Sequence, residues 1–169
     1  MLIKNKIVFF IILISVSLSF SFNSNAEELD ISAEEIIIEN NGKLVIAKGS
    51  VVIIDDEGNE IVTEKAEYDK LKDQLTTFES SKIILKNGYD INSGGILYDN
   101  KSKIILAQEE SDVTDLDGNF FSVDMFEYLV EKNLFSSRGN IRIVDVNKNK
   151  YFFKEMYIDT KNKKIVGSD

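Results

Sequence analysis

Carboxylates are the only side chains in this sequence spaced closely enough to suggest chemistry. Glu64 and Glu67, and again Asp124 and Glu127, stand three residues apart. A pair of carboxylic acids is the minimal equipment for glycoside hydrolysis. Asp55-Asp56-Glu57-Gly58-Asn59 and Asp115-Leu116-Asp117-Gly118-Asn119 faintly resemble acidic calcium loops, which need several oxygens at set spacing and a distal bidentate Glu. Neither reading goes far. Similar carboxylates are scattered along the whole polar pattern, as a solvated face that keeps sheet edges soluble requires. In the acidic runs Gly-Asn follows at once and an apolar alternation resumes, which is the pattern of a hairpin turn. The 169 residues contain no His and no Cys. The commonest general base and metal ligand is therefore missing, and so are any thiolate site and any disulfide. The expectation is a chain with no catalytic residue, no metal site and no cofactor.

The elements that carry these residues are strands. Hydrophobic residues make up 43% and charged residues 29%, a globular mixture. Pro is absent, so nothing forbids long hydrogen-bonded strands. The net charge of −9 argues against nucleic acid as a partner, because that affinity rests on Lys and Arg neutralising phosphates. Residues 1–26 have the pattern of an export signal: Lys4 and Lys6, an apolar run from Ile7 to Phe22, then Ser24-Asn25-Ala26 with small residues where cleavage occurs. The apolar run is short for a membrane span of about 20 residues and its second half is diluted by serines. Residues 27–169 then form the single exported domain, which without cysteines takes its stability from packing alone.

Written in blocks of 30, the sequence falls into register. Ile31, Ile61, Ile91, Phe121 and Tyr151 share one column; Ile38, Tyr68, Tyr98, Tyr128 and Ile158 share a second; Val45, Leu75, Ile105, Phe135 and Ile165 share a third. Gly58, Gly88 and Gly118 align at the end of the unit, and residues 151–169 stop partway through a fifth copy. Each unit reads as two strands. The first alternates but slips once, as in Ile61, Thr63, Ala66, Tyr68 and in Phe121, Val123, Phe126, Tyr128. One extra residue is a β-bulge, which bends a strand, and a bend at the same place in every repeat curves the whole sheet. The second strand alternates cleanly, as in Val45, Ala47, Gly49, Val51, Ile53. Ten antiparallel strands are expected, near 31–39, 44–54, 60–68, 74–86, 90–98, 103–114, 119–128, 133–144, 150–158 and 163–168, paired in chain order because the connections are short.

The unit resembles that of the OstA-like family of lipopolysaccharide-transport modules. The likeness is carried by Ala33-Glu34, Tyr68-Asp69, Tyr98-Asp99, Ala47-Lys48-Gly49-Ser50-Val51-Val52-Ile53, Arg138-Gly139-Asn140-Ile141-Arg142-Ile143 and Asp117-Gly118-Asn119, and it covers residues 30–169. It implies a V-shaped antiparallel β-jellyroll that stacks with similar modules through its edge strands. It implies a continuous apolar groove that guides the acyl chains of lipid A across the periplasm to the outer membrane. By that resemblance the inward residues facing lipid are Ile36, Ile38, Ala66, Tyr68, Ile96, Tyr98, Phe121, Val123, Phe126, Tyr128, Phe135, Phe153 and Met156. The last strand breaks off inside a repeat, which favours the N-terminal domain of the outer-membrane inserter, continuing into a β-barrel with its plug lipoprotein, over the soluble bridge protein. The competing reading is a structural surface or adhesin repeat, whose sign would be a closed, fully packed interior.

Overall fold

The computed structural model describes residues 29–169, and the export signal expected over 1–26 lies outside them. Fourteen strands follow one another, joined by turns and one 3-10 turn at Asn40–Gly42. They are β1 (Asp30–Ser32), β2 (Glu35–Glu39), β3 (Leu44–Ile54), β4 (Glu60–Asp69), β5 (Gln74–Ile84), β6 (Asp90–Ser93), β7 (Ile96–Asp99), β8 (Ile104–Ala107), β9 (Ser111–Thr114), β10 (Phe120–Val123), β11 (Phe126–Leu129), β12 (Leu134–Val144), β13 (Lys150–Asp159) and β14 (Lys164–Ser168). All their pairings are antiparallel.

The expected ten strands become fourteen because four of them break in the middle. Asp30–Glu39 splits at Ala33-Glu34, Asp90–Asp99 at Gly94-Gly95, Ile104–Thr114 at residues 108–110, and Phe120–Leu129 at Asp124-Met125. The unbroken strands shift register at the same level, between Lys48 and Val51, Thr63 and Lys65, and Arg138 and Ile141. The second strand of each unit thus keeps the inward alternation read for it, but it is not straight. Gly49 and Ser50 (φ 74° and 48°), Glu79 (69°) and Gly139 (109°) all turn left-handed there. Two irregular residues in succession leave the inward–outward parity unchanged, so the alternation hides the bend. At Gly139 only glycine fits, because an added Cβ would lie 2.7 Å from Asp124 Oδ2 in a φ region that L side chains avoid.

These breaks line up across the sheet as one crease, crossed by every strand path up to β13, while β14 pairs with β13 on one side of it only. On one side β5 is followed by β6, β9, β10 and the far half of β12. On the other side it is followed by β7, β8, β11 and the near half of β12. The pairings thus close a ring of eight strands, with β1 to β4 and β13–β14 extending it at either end. Of the V-shaped jellyroll expected from the sequence, the structure shows the coarser part: an all-β, all-antiparallel sheet closed through eight strands. The two limbs share one apolar cluster, with Ile91, Val113, Phe121 and Ile141 from the first packing with Leu75, Tyr98, Ile105 and Phe135 from the second.

Candidate lipid channel

The inward residues divide into a packed middle and two open ends. Ala66, Tyr68, Ile96, Tyr98, Phe121, Val123, Phe126, Tyr128, Phe135 and Met156 are all buried in the common cluster, and Phe153 is partly buried against it. Alternation sends them inward: Phe126, Tyr128, Phe135 and Ile158 come from neighbouring strands in matching register. Phe126 and Phe135 stack with ring centroids 5.1 Å apart. Ile36 and Ile38 stand apart, 46% and 65% exposed on edge strand β2.

At this first end a cavity of about 440 Å³ is lined by Leu29, Ile31, Ile36, Val45 and Tyr68, together with Asp30 and Lys70. At the opposite end Phe121, Ile143, Tyr151, Phe153, Ile165 and Gly167, with Asn119 and Asp145, line a second of about 300 Å³. Tyr151 and Ile165 remain 44% and 42% exposed there. Among the described residues each mouth adjoins a strand with a free edge, since β1 and β2 pair there only with β3, and β14 only with β13. Large apolar side chains left open beside unpaired backbone mark a binding surface. Tyr151 and Ile165 were legible in the repeat columns, but no sequence signal distinguishes an end position from a middle one.

The turns form two rows, one at the tips of each limb. In the first row Asn59, Asn119 and Asn149 each donate a backbone N–H and a side-chain amide N–H to Asp55, Asp115 and Asp145, all at 2.8 Å. Asn59 and Asn119 then accept the backbone N–H of Lys86 and Val146 in the next turn. The acidic runs are therefore a structural ladder whose aspartates are already bonded. Among the described residues no group of three or more metal-ligating side chains gathers. Leu85 and Tyr89 replace Asp and Asn in the second turn, and burial pushes the Tyr89 hydroxyl up to about 12.

One carboxylate of each imagined pair is likewise engaged. Glu67 pairs with Lys65 at 3.2 Å. Asp124 accepts the backbone and side-chain N–H of Asn140 at 2.8 and 2.9 Å.

The two rows of turns meet, which sequence reasoning missed. Lys103 Nζ reaches Asp56 at 2.6 Å and Asn100 Oδ1 at 3.0 Å. The Tyr98 hydroxyl donates to Asp55 at 3.2 Å, and burial first, then Asp55, raises its pKa. Asn87 Nδ2 donates to Tyr128, Asn133 and Thr160. Lys163 Nζ reaches Asp117 at 3.0 Å. The available signal was the turn column Asp73, Lys103, Asn133, Lys163: all four adopt positive φ, where Asn and Asp are favoured and Lys is not.

The comparisons with known proteins find likeness among solved structures only. No protein-family model and no curated protein matches the sequence. Among solved structures the chain is similar to LptH, described as the LptA-homologous periplasmic component of the lipopolysaccharide transport device from Pseudomonas aeruginosa, at 12% identity over 83% of this chain and 82% of that one. The TM-score is 0.32, too low for the likeness to bear on fold or function.

Proposed function

We propose that this chain is a non-enzymatic lipid carrier that guides the acyl chains of lipopolysaccharide across the periplasm towards the outer membrane, in contact with similar modules at its two edges. The observation that carries this reading is the apolar interior opening at both ends into apolar mouths beside unpaired strands. An acyl chain gains about 0.8 kcal/mol per buried CH₂, and an edge strand offers main-chain hydrogen bonds to the next module by β-augmentation. The OstA-like motifs at Ala47–Ile53 and Arg138–Ile143 support the choice of lipopolysaccharide. Both sit where the strands cross the crease.

A second reading, a structural β-repeat without lipid, is favoured by one observation: Tyr98, Phe121 and Phe135 in the middle are at most 1% exposed. A photo-crosslinking amino acid placed at Ile38, Phe126, Tyr128 and Phe153 in the exporting cell separates the two. The carrier reading expects lipopolysaccharide adducts at the mouth positions and at one or both middle positions. Absence of adducts at all four sites leaves the structural reading.

A further inference from the structure

We propose that the roll opens lengthwise along the seam between its two rows of turns, parting first at Asp117–Lys163, and that an acyl ligand enters the interior through this slit. The entry route rests on the carrier reading; the opening does not.

The packed middle needs an opening, and the crease cannot supply one because covalent strands and their ladders cross it. The seam is built differently. Within the second limb, backbone bonds tie each turn to the next: Lys70 N to Lys43 O, Asn100 N to Asp73 O, Val130 N to Lys103 O and Thr160 N to Asn133 O. Between the limbs, the hydrogen bonds among the described residues run through side chains. Three of them recur with the repeat, each joining a first-row turn to a second-row turn 46 or 47 residues later. Each limb thus keeps its backbone ladder if the seam parts.

The bridges weaken along the roll. At Asp56–Lys103 the lysine side chain is only 5% exposed, and Asn100 shares its ammonium. At Asn87 the amide donates, yet its Oδ1 is buried without a partner, which counts against the closed state. At Asp117–Lys163 both side chains are more than half exposed, at 58% and 52%, where an ion pair is weak and screened by salt. Lys103 and Lys163 hold left-handed backbone (φ 54° and 53°), a conformation usually kept where something needs it. Here it places each ammonium across the seam.

The test uses the full, lipid-free chain, whose lack of cysteine permits clean labelling. Spin labels at Leu116→Cys with Lys161→Cys report the far end, and labels at Glu57→Cys with Lys101→Cys the near end. Salt is raised from about 0.1 M to about 1 M, which shortens the Debye length from about 10 Å to about 3 Å. The 116–161 distance distribution lengthens and broadens before the 57–101 distribution does. Any other order, or no change in either pair, overturns the proposal. Lys163→Met raises the opened fraction at low salt, by up to about fivefold.

A second arm addresses entry. A cleavable bismaleimide tether between Asp117→Cys and Lys163→Cys abolishes uptake of fluorescent lipopolysaccharide, and cleaving it restores uptake. Uptake that the tether leaves unchanged overturns the entry route. A seam that opens as described, in a chain that takes up no lipopolysaccharide tethered or free, removes the carrier reading and the entry route with it, while the opening stands.

Discussion

Lys103 and Lys163 occupy the same column of the repeat and the same left-handed turn, yet their surroundings separate them. Removing the first ammonium strips a bonded partner from Asp56 and from the buried Asn100. Lys103→Met therefore costs about 1–3 kcal/mol of unfolding free energy, whereas Lys163→Met costs at most about 1 kcal/mol; urea denaturation of the two variants measures the difference. The turn carboxylates set the response to acid. Asp99 is held below the ordinary carboxylate range first by the Gln74 amide and then by the Ser102 N–H, Asp145 first by the Asn149 side chain, and Asp159 first by the Asn162 side chain. Groups held low stabilise the fold fully above the unfolded value of 3.8, and that contribution is lost as pH falls through their folded values. Glu57 is raised, by burial first and then by Asp55 and Asp56. Its contribution is present below the unfolded value and fades as pH rises through the folded one. The depressed aspartates outnumber it, so the melting temperature drops on acidification from about pH 5 to about pH 2, as a calorimetric pH series will register.

At the scale of elements, the crease turns one meander into two facing limbs. Its legibility was uneven. The single slip in the first strand of each unit was plain in Ile61, Thr63, Ala66 and Tyr68, because one extra residue inverts the alternation. The matching bend in the second strand was silent, since Gly49 and Ser50 together preserve the parity of Val45, Ala47, Val51 and Ile53. Strand position then decides what a side chain is worth. Phe135 lies on a central strand, 1% exposed and stacked on Phe126, so Phe135→Ala costs about 3–5 kcal/mol. Ile38 is inward by alternation but sits on an edge strand, so Ile38→Ala stays within about 0.5 kcal/mol while removing apolar surface from a mouth. Equilibrium unfolding of the two variants checks the contrast, which the repeat columns alone would not show.

The whole molecule has two unlike ends. The β1–β2 edge carries Asp30, Glu34, Glu35 and Glu39 and no basic residue, whereas the β13–β14 end carries Lys150, Lys154, Lys161, Lys163 and Lys164 against Glu155 and Asp159. Opposite charge at the two edges favours head-to-tail contact and opposes like-to-like contact. Glu35→Lys with Glu39→Lys accordingly weakens self-association of the described domain in sedimentation velocity, and raising the salt concentration weakens association of the unsubstituted chain; association unaffected by either change would remove the charge argument.

Strand content, the 30-residue unit and the inward columns could be read from the sequence by itself, because they depend on alternation and turn chemistry, which are local. The seam and the two mouths were decided by tertiary structure alone. Asp56 meets Lys103 across 47 residues, and that meeting depends on how far the crease folds one limb onto the other. Likewise Ile38 and Tyr128 share a column, but the first lies at an open end and the second in the packed middle, a difference that arises only when neighbouring strands cover one and leave the other uncovered.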